Sequence, residues 1–230
     1  MINAILIDLD DTLLDFHRSE ADSLRTALLS FGIDPRPDRL ALYSRINMDQ
    51  WKKLEKRETT RPKLLVDRFR LFLESLSCEV DPVALGKCYE SLLAESVFLL
   101  PDSLELLDRL VKDYRLYLAS NGIYPVQQGR IKKAGLEKYF SDRFVSEKIG
   151  YDKPDPRFFE EAFHRIPDFC REKTLIFGDS LSSDIQGGIN AGITTVWYNP
   201  KKLPTTTVRP DFETANQLGL LDVLKQINQA

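Results

Sequence analysis

Ala4-Ile5-Leu6-Ile7-Asp8-Leu9-Asp10-Asp11-Thr12 is the stretch around which the rest of this chain arranges itself. Its first four residues form an apolar run of the kind found in a strand buried on both faces of a parallel sheet. Side chains alternate along a strand, so Asp8 and Asp10 share a side. In an open α/β sheet the carboxyl ends of the strands open into the ligand crevice. Two carboxylates aimed at one point repel each other unless a cation or a shared proton relieves them. That pairing suits a nucleophile and an acid/base held beside a divalent metal.

The 230 residues allow one large α/β domain or a core with a smaller module. With 43% hydrophobic and 29% charged residues, composition is that of an ordinary globular chain, and a net charge of −3 carries no basic stripe. The locally basic run Lys52-Lys53-Leu54-Glu55-Lys56-Arg57 is broken by Glu55 and followed by Glu58. It reads as a solvated helix face, and no nucleic-acid partner is expected. Three cysteines, Cys78, Cys88 and Cys170, show no CxxC spacing and favour reduced thiols over a disulfide framework or a zinc site. Asp8 cuts the N-terminal apolar run short, so no signal peptide is expected. No stretch approaches the roughly 18 apolar residues of a membrane span. The expected location is cytoplasmic.

Outward from the first stretch, short β-type runs recur at Leu116–Ala119, Phe144–Val145, Thr174–Phe177 and Thr195–Tyr198. Helical spacing appears at Ser103–Lys112 and Arg157–Ile166. Strands alternating with helices predict βαβ units and a parallel sheet with right-handed crossovers. One connection is too long for a crossover. About 100 residues separate Thr12 from Leu116, where a dozen or more suffice. The stretch from Phe16 to Leu99 is rich in Leu, Arg, Glu and Lys and broken at Gly32, Asp34–Pro37, Arg61-Pro62 and Asp81-Pro82. It reads as an inserted module of about four helices. The expected fold is therefore α/β, a doubly wound, mostly parallel, Rossmann-like sheet with an inserted α-helical cap. Residues 1–15 and 100–230 form the core and 16–99 the cap. Pro200–Pro210 reads as a surface loop, with a last short strand and a closing helix after Asp211.

Four features end successive predicted strands: Asp8 with Asp10; Ser120-Asn121-Gly122; Lys153 in Asp152-Lys153-Pro154-Asp155-Pro156; and Gly178-Asp179-Ser180 with Asp184. Taken singly, each has a bland reading. Ser120 could cap a helix, Lys153 could be solvated, and Gly178-Asp179-Ser180 could be a turn. Sheet geometry instead sends all four to one crevice.

In this order the residues resemble the four motifs of the haloacid dehalogenase superfamily of aspartyl-phosphate phosphatases. Asp8-Leu9-Asp10-Asp11-Thr12 matches its DxDxT nucleophile motif, Ser120 its second, Lys153 its third, and Gly178-Asp179-Ser180-Leu181-Ser182-Ser183-Asp184 its acidic fourth. The helical insertion after the first motif is similar to the family's C1 cap. The chemistry is consistent with the residues. A carboxylate such as Asp8 can attack phosphorus and form an acyl phosphate. Asp10 can protonate the leaving oxygen and then deprotonate the hydrolytic water. Ser120 and the Asn121 N–H can donate to phosphoryl oxygens, while Lys153 neutralises their charge. The resemblance implies Mg²⁺, with Mn²⁺ as the alternative, on the Asp8 carboxylate, the Asp10 carbonyl and the Asp179 carboxylate. Asp184 either binds the metal or orients its water. An acidic Asp10 favours phosphate esters over haloacids. Asp11 is expected to cap the following turn, and Gly122 to let the backbone approach the phosphate.

Ser120–Ile123, Arg130–Leu136, Gly187–Gly192 and the stretch from Trp51 to Phe69 are similar to bacterial pyrimidine 5′-nucleotidases of this superfamily. The resemblance implies a phosphoric monoester hydrolase acting on nucleoside monophosphates such as UMP, dUMP or dTMP, as a monomer or weak homodimer. Phe16, Tyr43, Trp51 and Phe69 could stack on a base or pack the cap's own core. Lys63 or Arg68 could bind substrate but read rather as solvated charges, His17 reads as a surface residue, and Tyr124 as a candidate flank of the phosphate site. The alternatives are a sugar-phosphate or phosphoglycolate phosphatase, a β-phosphoglucomutase-like mutase, and a catalytically silent binding protein.

Overall fold

A computed structural model of the chain describes residues 1–205 and 207–229. Six strands form one sheet: β1 (Ala4–Ile7), β2 (Arg115–Ser120), β3 (Phe140–Val145), β4 (Thr174–Gly178), β5 (Thr194–Tyr198) and β6 (Phe212–Thr214), in the order β3-β2-β1-β4-β5-β6. Every pairing is parallel. The chain winds outward from β1 through β2 and β3, then returns to the other flank of β1 as β4. That reversal opens a crevice at the carboxyl ends of β1, β2 and β4.

Ten helices accompany the sheet among the described residues. Four lie between Thr12 and Leu99: α1 (Phe16–Ser30), α2 (Pro37–Glu55), α3 (Arg61–Ser75) and α4 (Pro82–Glu95). The others are α5 (Ser103–Leu110), α6 (Tyr124–Lys133), α7 (Ser146–Ile149), α8 (Pro156–His164), α9 (Gln186–Ala191) and α10 (Gly219–Gln229). The proline breaks in the sequence become helix starts at α2, α3 and α4, because a proline in the first turn loses no helical hydrogen bond.

The period of two in β1 divides the core. Ile5 and Ile7 pack against α5 and α10 through Leu106, Leu107, Leu110 and Leu220. Ala4 and Leu6 face α8 through Phe158, Phe159 and Phe163. A third apolar cluster joins α1–α4, around Tyr43, Phe69, Phe72 and Tyr89, and reaches Ile123 and Val126 at the start of α6. Tyr43 and Phe69 are therefore packing residues.

β3 begins four residues before the expected Phe144. Its first residues, Phe140-Ser141-Asp142-Arg143, lie on a half-exposed edge strand, where polar side chains dilute the apolar signal. The helices read at Ser103–Lys112 and Arg157–Ile166 end two residues early. The closing strand and helix are present as β6 and α10. Within Pro200–Pro210, Thr206 lies outside the described residues, and the rest has no regular structure. The cysteines are unpaired. Among the described residues, no helix is long and apolar enough to cross a membrane.

Candidate active site

Lys153 organises the crevice. Its ammonium is 1% exposed and donates to Asp8 Oδ1 at 2.8 Å, to Asp184 Oδ1 at 2.5 Å and to the Ala119 carbonyl at 2.5 Å. An ammonium has three donors, so it is saturated. Asn121 fixes the lysine's backbone from the neighbouring loop: its side chain accepts from Lys153 N and donates to Lys153 O, both at 2.8 Å. Asp184 sits on one wide π turn, Leu181–Ile185, and also accepts from Ser180 N at 3.1 Å. Gly178 makes room for it, because a Cβ there would collide with the Asp184 carboxylate. Thr12 Oγ1 accepts from Asp179 N at 3.1 Å and ties the first loop to the fourth.

Two carboxylates thus share one ammonium, with a third, Asp179, close by. Burial raises Asp8 above the ordinary carboxylate range against the pull of Lys153, and Asp184 and Asp10 raise it further. Burial also raises Asp179, with Asp8, Asp184 and Asp11 adding to the effect. Lys153 is held charged: burial opposes its charge, but Asp184 and Asp8 outweigh burial. Asp8, Asp179 and Asp184 offer oxygens within 4.8 Å of one another. Hard oxygen donors, crowded and short of positive charge, fit a cation such as Mg²⁺.

Asp10 points elsewhere. Arg130 Nη1 binds its Oδ1, and Gln127 Nε2 donates to its Oδ2 at 2.8 Å. The same Nε2 lies 2.7 Å from Ser120 Oγ, which leaves the serine hydroxyl free to donate. The space beside Gly122 is filled by this glutamine: a Cβ there would come within 2.8 Å of it.

All seven predicted site residues, Asp8, Asp10, Ser120, Asn121, Lys153, Asp179 and Asp184, border one cavity of about 340 Å³. Its far wall belongs to the helices between β1 and β2, through Phe16, Glu20, Asn47, Met48, Trp51 and Arg68. Over residues 2–192 the sequence matches the haloacid dehalogenase-like hydrolases. The chain belongs to that family. It is 40% identical to the pyrimidine 5′-nucleotidase PynA of Streptococcus pneumoniae, over 96% of this chain and 94% of that protein. It is 30% identical to the pyrimidine 5′-nucleotidase YjjG of Escherichia coli, over 85% of each chain. The magnesium-bound crystal structure of the HAD-hydrolase YfnB of Bacillus subtilis, described as revealing interdomain movement, superposes with a TM-score of 0.92 at 36% identity. That match covers 97% of this chain and 98% of the other. This HAD-like hydrolase is an enzyme of the phosphatase kind.

Arg68 and Tyr124 land differently from expectation, whereas Lys63, Asp11 and His17 land as expected. Arg68 is no solvated charge. It is 2% exposed, pairs with Glu90 at 2.7 Å and donates to Asn47 Oδ1 at 3.3 Å. Lys63 is exposed. Tyr124 does not border the cavity; its backbone N–H donates to Glu147 at 2.7 Å. Asp11 does hold the following turn, with Oδ1 accepting from Phe16 N at 3.0 Å. His17 is mostly exposed beside Asp11. Gln127, Glu20 and Asn47 carry no motif signal, and Arg130 stands in the sequence only as the start of the Arg130–Leu136 resemblance, without a role. The one available hint is the i, i+3 spacing of Gln127 and Arg130, which puts both on one face of α6.

Proposed function

We propose that this enzyme hydrolyses pyrimidine nucleoside 5′-monophosphates through an aspartyl-phosphate on Asp8. The observation that carries this reading is the single cavity joining the Asp8–Lys153–Asp184 cluster to an apolar, aromatic pocket with a buried polar end. Asp8 attacks phosphorus, forming a bond to its carboxylate oxygen as the ester bond breaks. Asp10 gives its proton to the departing oxygen, then takes one from the water that cleaves the acyl phosphate. The Ser120 hydroxyl and the Asn121 N–H hold the phosphoryl oxygens, and Lys153 offsets their charge. Mg²⁺, with Mn²⁺ as substitute, would be held by the Asp8 and Asp179 carboxylates and the Asp10 carbonyl, with Asp184 alongside. Bound there, it would neutralise charge on the phosphoryl group.

The nucleoside would extend into the far end of the cavity. Trp51 and Phe16 offer flat faces, and Glu20, Asn47 and Arg68 offer acceptors and donors for the edge of a base. Residues 16–99 would act as the cap, over a core of 1–15 and 100–230. Two chain segments connect them, paired through Leu14 and Leu99, with Asp15 N donating to Phe98 O at 2.8 Å. Across the mouth, Arg61 donates to the Gly122 carbonyl at 3.0 Å and Ser146 Oγ at 2.6 Å, and pairs with Asp152. These contacts would break as the cap opens and re-form as it closes over substrate. The nucleotidase relatives support a small phosphorylated substrate, on which the enzyme would act as a cytoplasmic monomer or weak homodimer without a nucleic-acid partner.

The test is phosphate release from pyrimidine and purine 5′-monophosphates, hexose phosphates and phosphoglycolate with Mg²⁺, using Asp8→Asn as the blank. Release concentrated on UMP, dUMP or dTMP is expected. Release concentrated on sugar phosphates or phosphoglycolate would overturn the substrate, and release surviving in Asp8→Asn would overturn the nucleophile.

A further inference from the structure

We propose that Arg130 and Gln127 are positioning residues that clamp the Asp10 carboxylate in the place from which it serves the leaving oxygen. The proposal rests on the reading of Asp8 as nucleophile and Asp10 as acid/base, and adds the device that aims the acid. The ammonium of the crevice, Lys153, already has Asp8, Asp184 and the Ala119 carbonyl as acceptors. Asp10 is held by a second cation. Arg130 lies on α6 with its side chain 1% exposed, and Asp10 is its one ion-pair partner among the described residues. A guanidinium buried that deeply needs its carboxylate, so the pair holds both members in place.

The grip has two points. Arg130 Nη1 takes Oδ1, and Gln127 Nε2 takes Oδ2 at 2.8 Å, which opposes rotation of the carboxylate. Each oxygen keeps a lone pair for the proton it must carry. Arg130 Nη1 also donates to Gln127 Oε1 at 3.1 Å, while Gln127 Nε2 lies 2.7 Å from Ser120 Oγ. The acid and the phosphate-binding serine therefore share one donor, which fixes the leaving oxygen's proton source relative to the phosphoryl site. Phe16, the first residue of α1, lays its ring 5.7 Å from the guanidinium carbon and closes the clamp on the cap side.

A positioning role predicts a dependence on the leaving group that a merely structural role does not. p-Nitrophenolate departs without a proton, whereas a ribose 5′-oxygen needs one. The value of kcat/KM reports on steps through formation of the acyl phosphate, so it is measured for UMP, phenyl phosphate and p-nitrophenyl phosphate. Asp10→Asn sets the scale, with a loss of roughly 10²–10⁴-fold on UMP and little on the nitrophenyl ester. Arg130→Met is expected to lose about tenfold or more on UMP and at most a few-fold on p-nitrophenyl phosphate, with Arg130→Lys recovering part of the loss. Gln127→Met, which buries no unpaired charge, keeps the test open if Arg130→Met fails to fold. It is expected to show the same split at smaller size. Equal losses on all three esters, or none, would overturn the clamp. If UMP is not a substrate, phenyl against p-nitrophenyl phosphate tests the clamp independently of the nucleotide reading. A split absent from Asp10→Asn itself would instead remove Asp10 as the acid, and the clamp with it.

Discussion

In the core crevice one ammonium, Lys153, is shared by carboxylates from two loops, with a third carboxylate, Asp179, close by. Among helices α1–α4, the proposed cap, one guanidinium, Arg68, reaches Glu90 and the Asn47 amide, which in turn donates to Glu20 at 2.8 Å. Both clusters are buried, and both border the same cavity. They differ in how far protein groups alone satisfy them. The crevice keeps an excess of negative charge crowded at one point, an arrangement that a divalent cation relieves. The cap cluster spreads its charges along a chain of hydrogen bonds, with amide groups between them. Such a chain offers polarity without strong net charge, which suits a neutral base better than a phosphate. Charge excess at one end and neutral polarity at the other divide the cavity into two kinds of site.

The largest effect expected separates catalysis from stability at the charged end. Asp8→Asn should lower turnover by at least about 10⁴-fold while leaving the circular dichroism spectrum unchanged. Its thermal midpoint should hold or rise, because the substitution removes a carboxylate from a crowded cluster. A lowered midpoint would mean that the crevice is built for stability, and the contrast with the cap would fail. Lys153→Met should do the opposite. It leaves the carboxylates unpaired and should cost about 3–5 kcal/mol in urea denaturation. Millimolar Mg²⁺ should restore part of that loss by binding only the folded state. No response to Mg²⁺ would argue against a cation site among Asp8, Asp179 and Asp184.

The neutral end is tested through binding. Trp51 borders the cavity and donates from Nε1 to Asn47 Oδ1 at 3.1 Å. Stacking on a base contributes about 1–3 kcal/mol per base. Trp51→Ala should therefore raise KM for UMP by about tenfold or more and leave kcat/KM for p-nitrophenyl phosphate nearly unchanged. Equal losses on both substrates would remove the base from this pocket.

The two regions were also unequally legible in the sequence. The crevice is built by loops that follow strands, and sheet topology brings those loops together whatever the spacing between them. Asp8, Ser120, Lys153 and Asp179 could therefore be placed in one crevice from their order alone. The four helices α1–α4 were announced by proline breaks and helical composition. The residues that meet inside the cap were not. Glu20, Asn47 and Arg68 lie on three different helices, and which faces turn inward depends on how those helices cross. Arg68 read as a solvated charge because nothing local to α3 marks it as buried. Arg130 and Gln127 were hidden for a related reason. Their helix, α6, follows β2, but the face they share looks toward the loop after β1 across a long sequence separation. Ordered strand ends carry functional information in sequence, whereas packed helix faces carry it only in three dimensions.

The smallest expected effect reads the cap cluster through pH. Burial raises the Glu20 carboxyl above its ordinary value, partly offset by hydrogen bonds from Ser44 and Asn47 and by the charges of His17 and Arg68. The groups packed around it also include Tyr43 and Tyr89. A raised value means that the folded chain holds this proton more tightly than the unfolded chain does. Between the ordinary glutamate value and the raised one, the folded state binds more protons, so this group's contribution makes stability fall as pH rises. The favourable contribution is complete below the unfolded value and is gone above the folded one. Glu20→Gln keeps an acceptor for Asn47 and removes the titration. Measured as urea stability from pH 4 to pH 8, the variant should gain relative to wild type as pH rises. A variant that loses stability at pH 8 would show that Arg68 depends on the Glu20 charge. The cap cluster would then be an ion-paired site like the crevice, and the division of the cavity into charged and neutral ends would no longer hold.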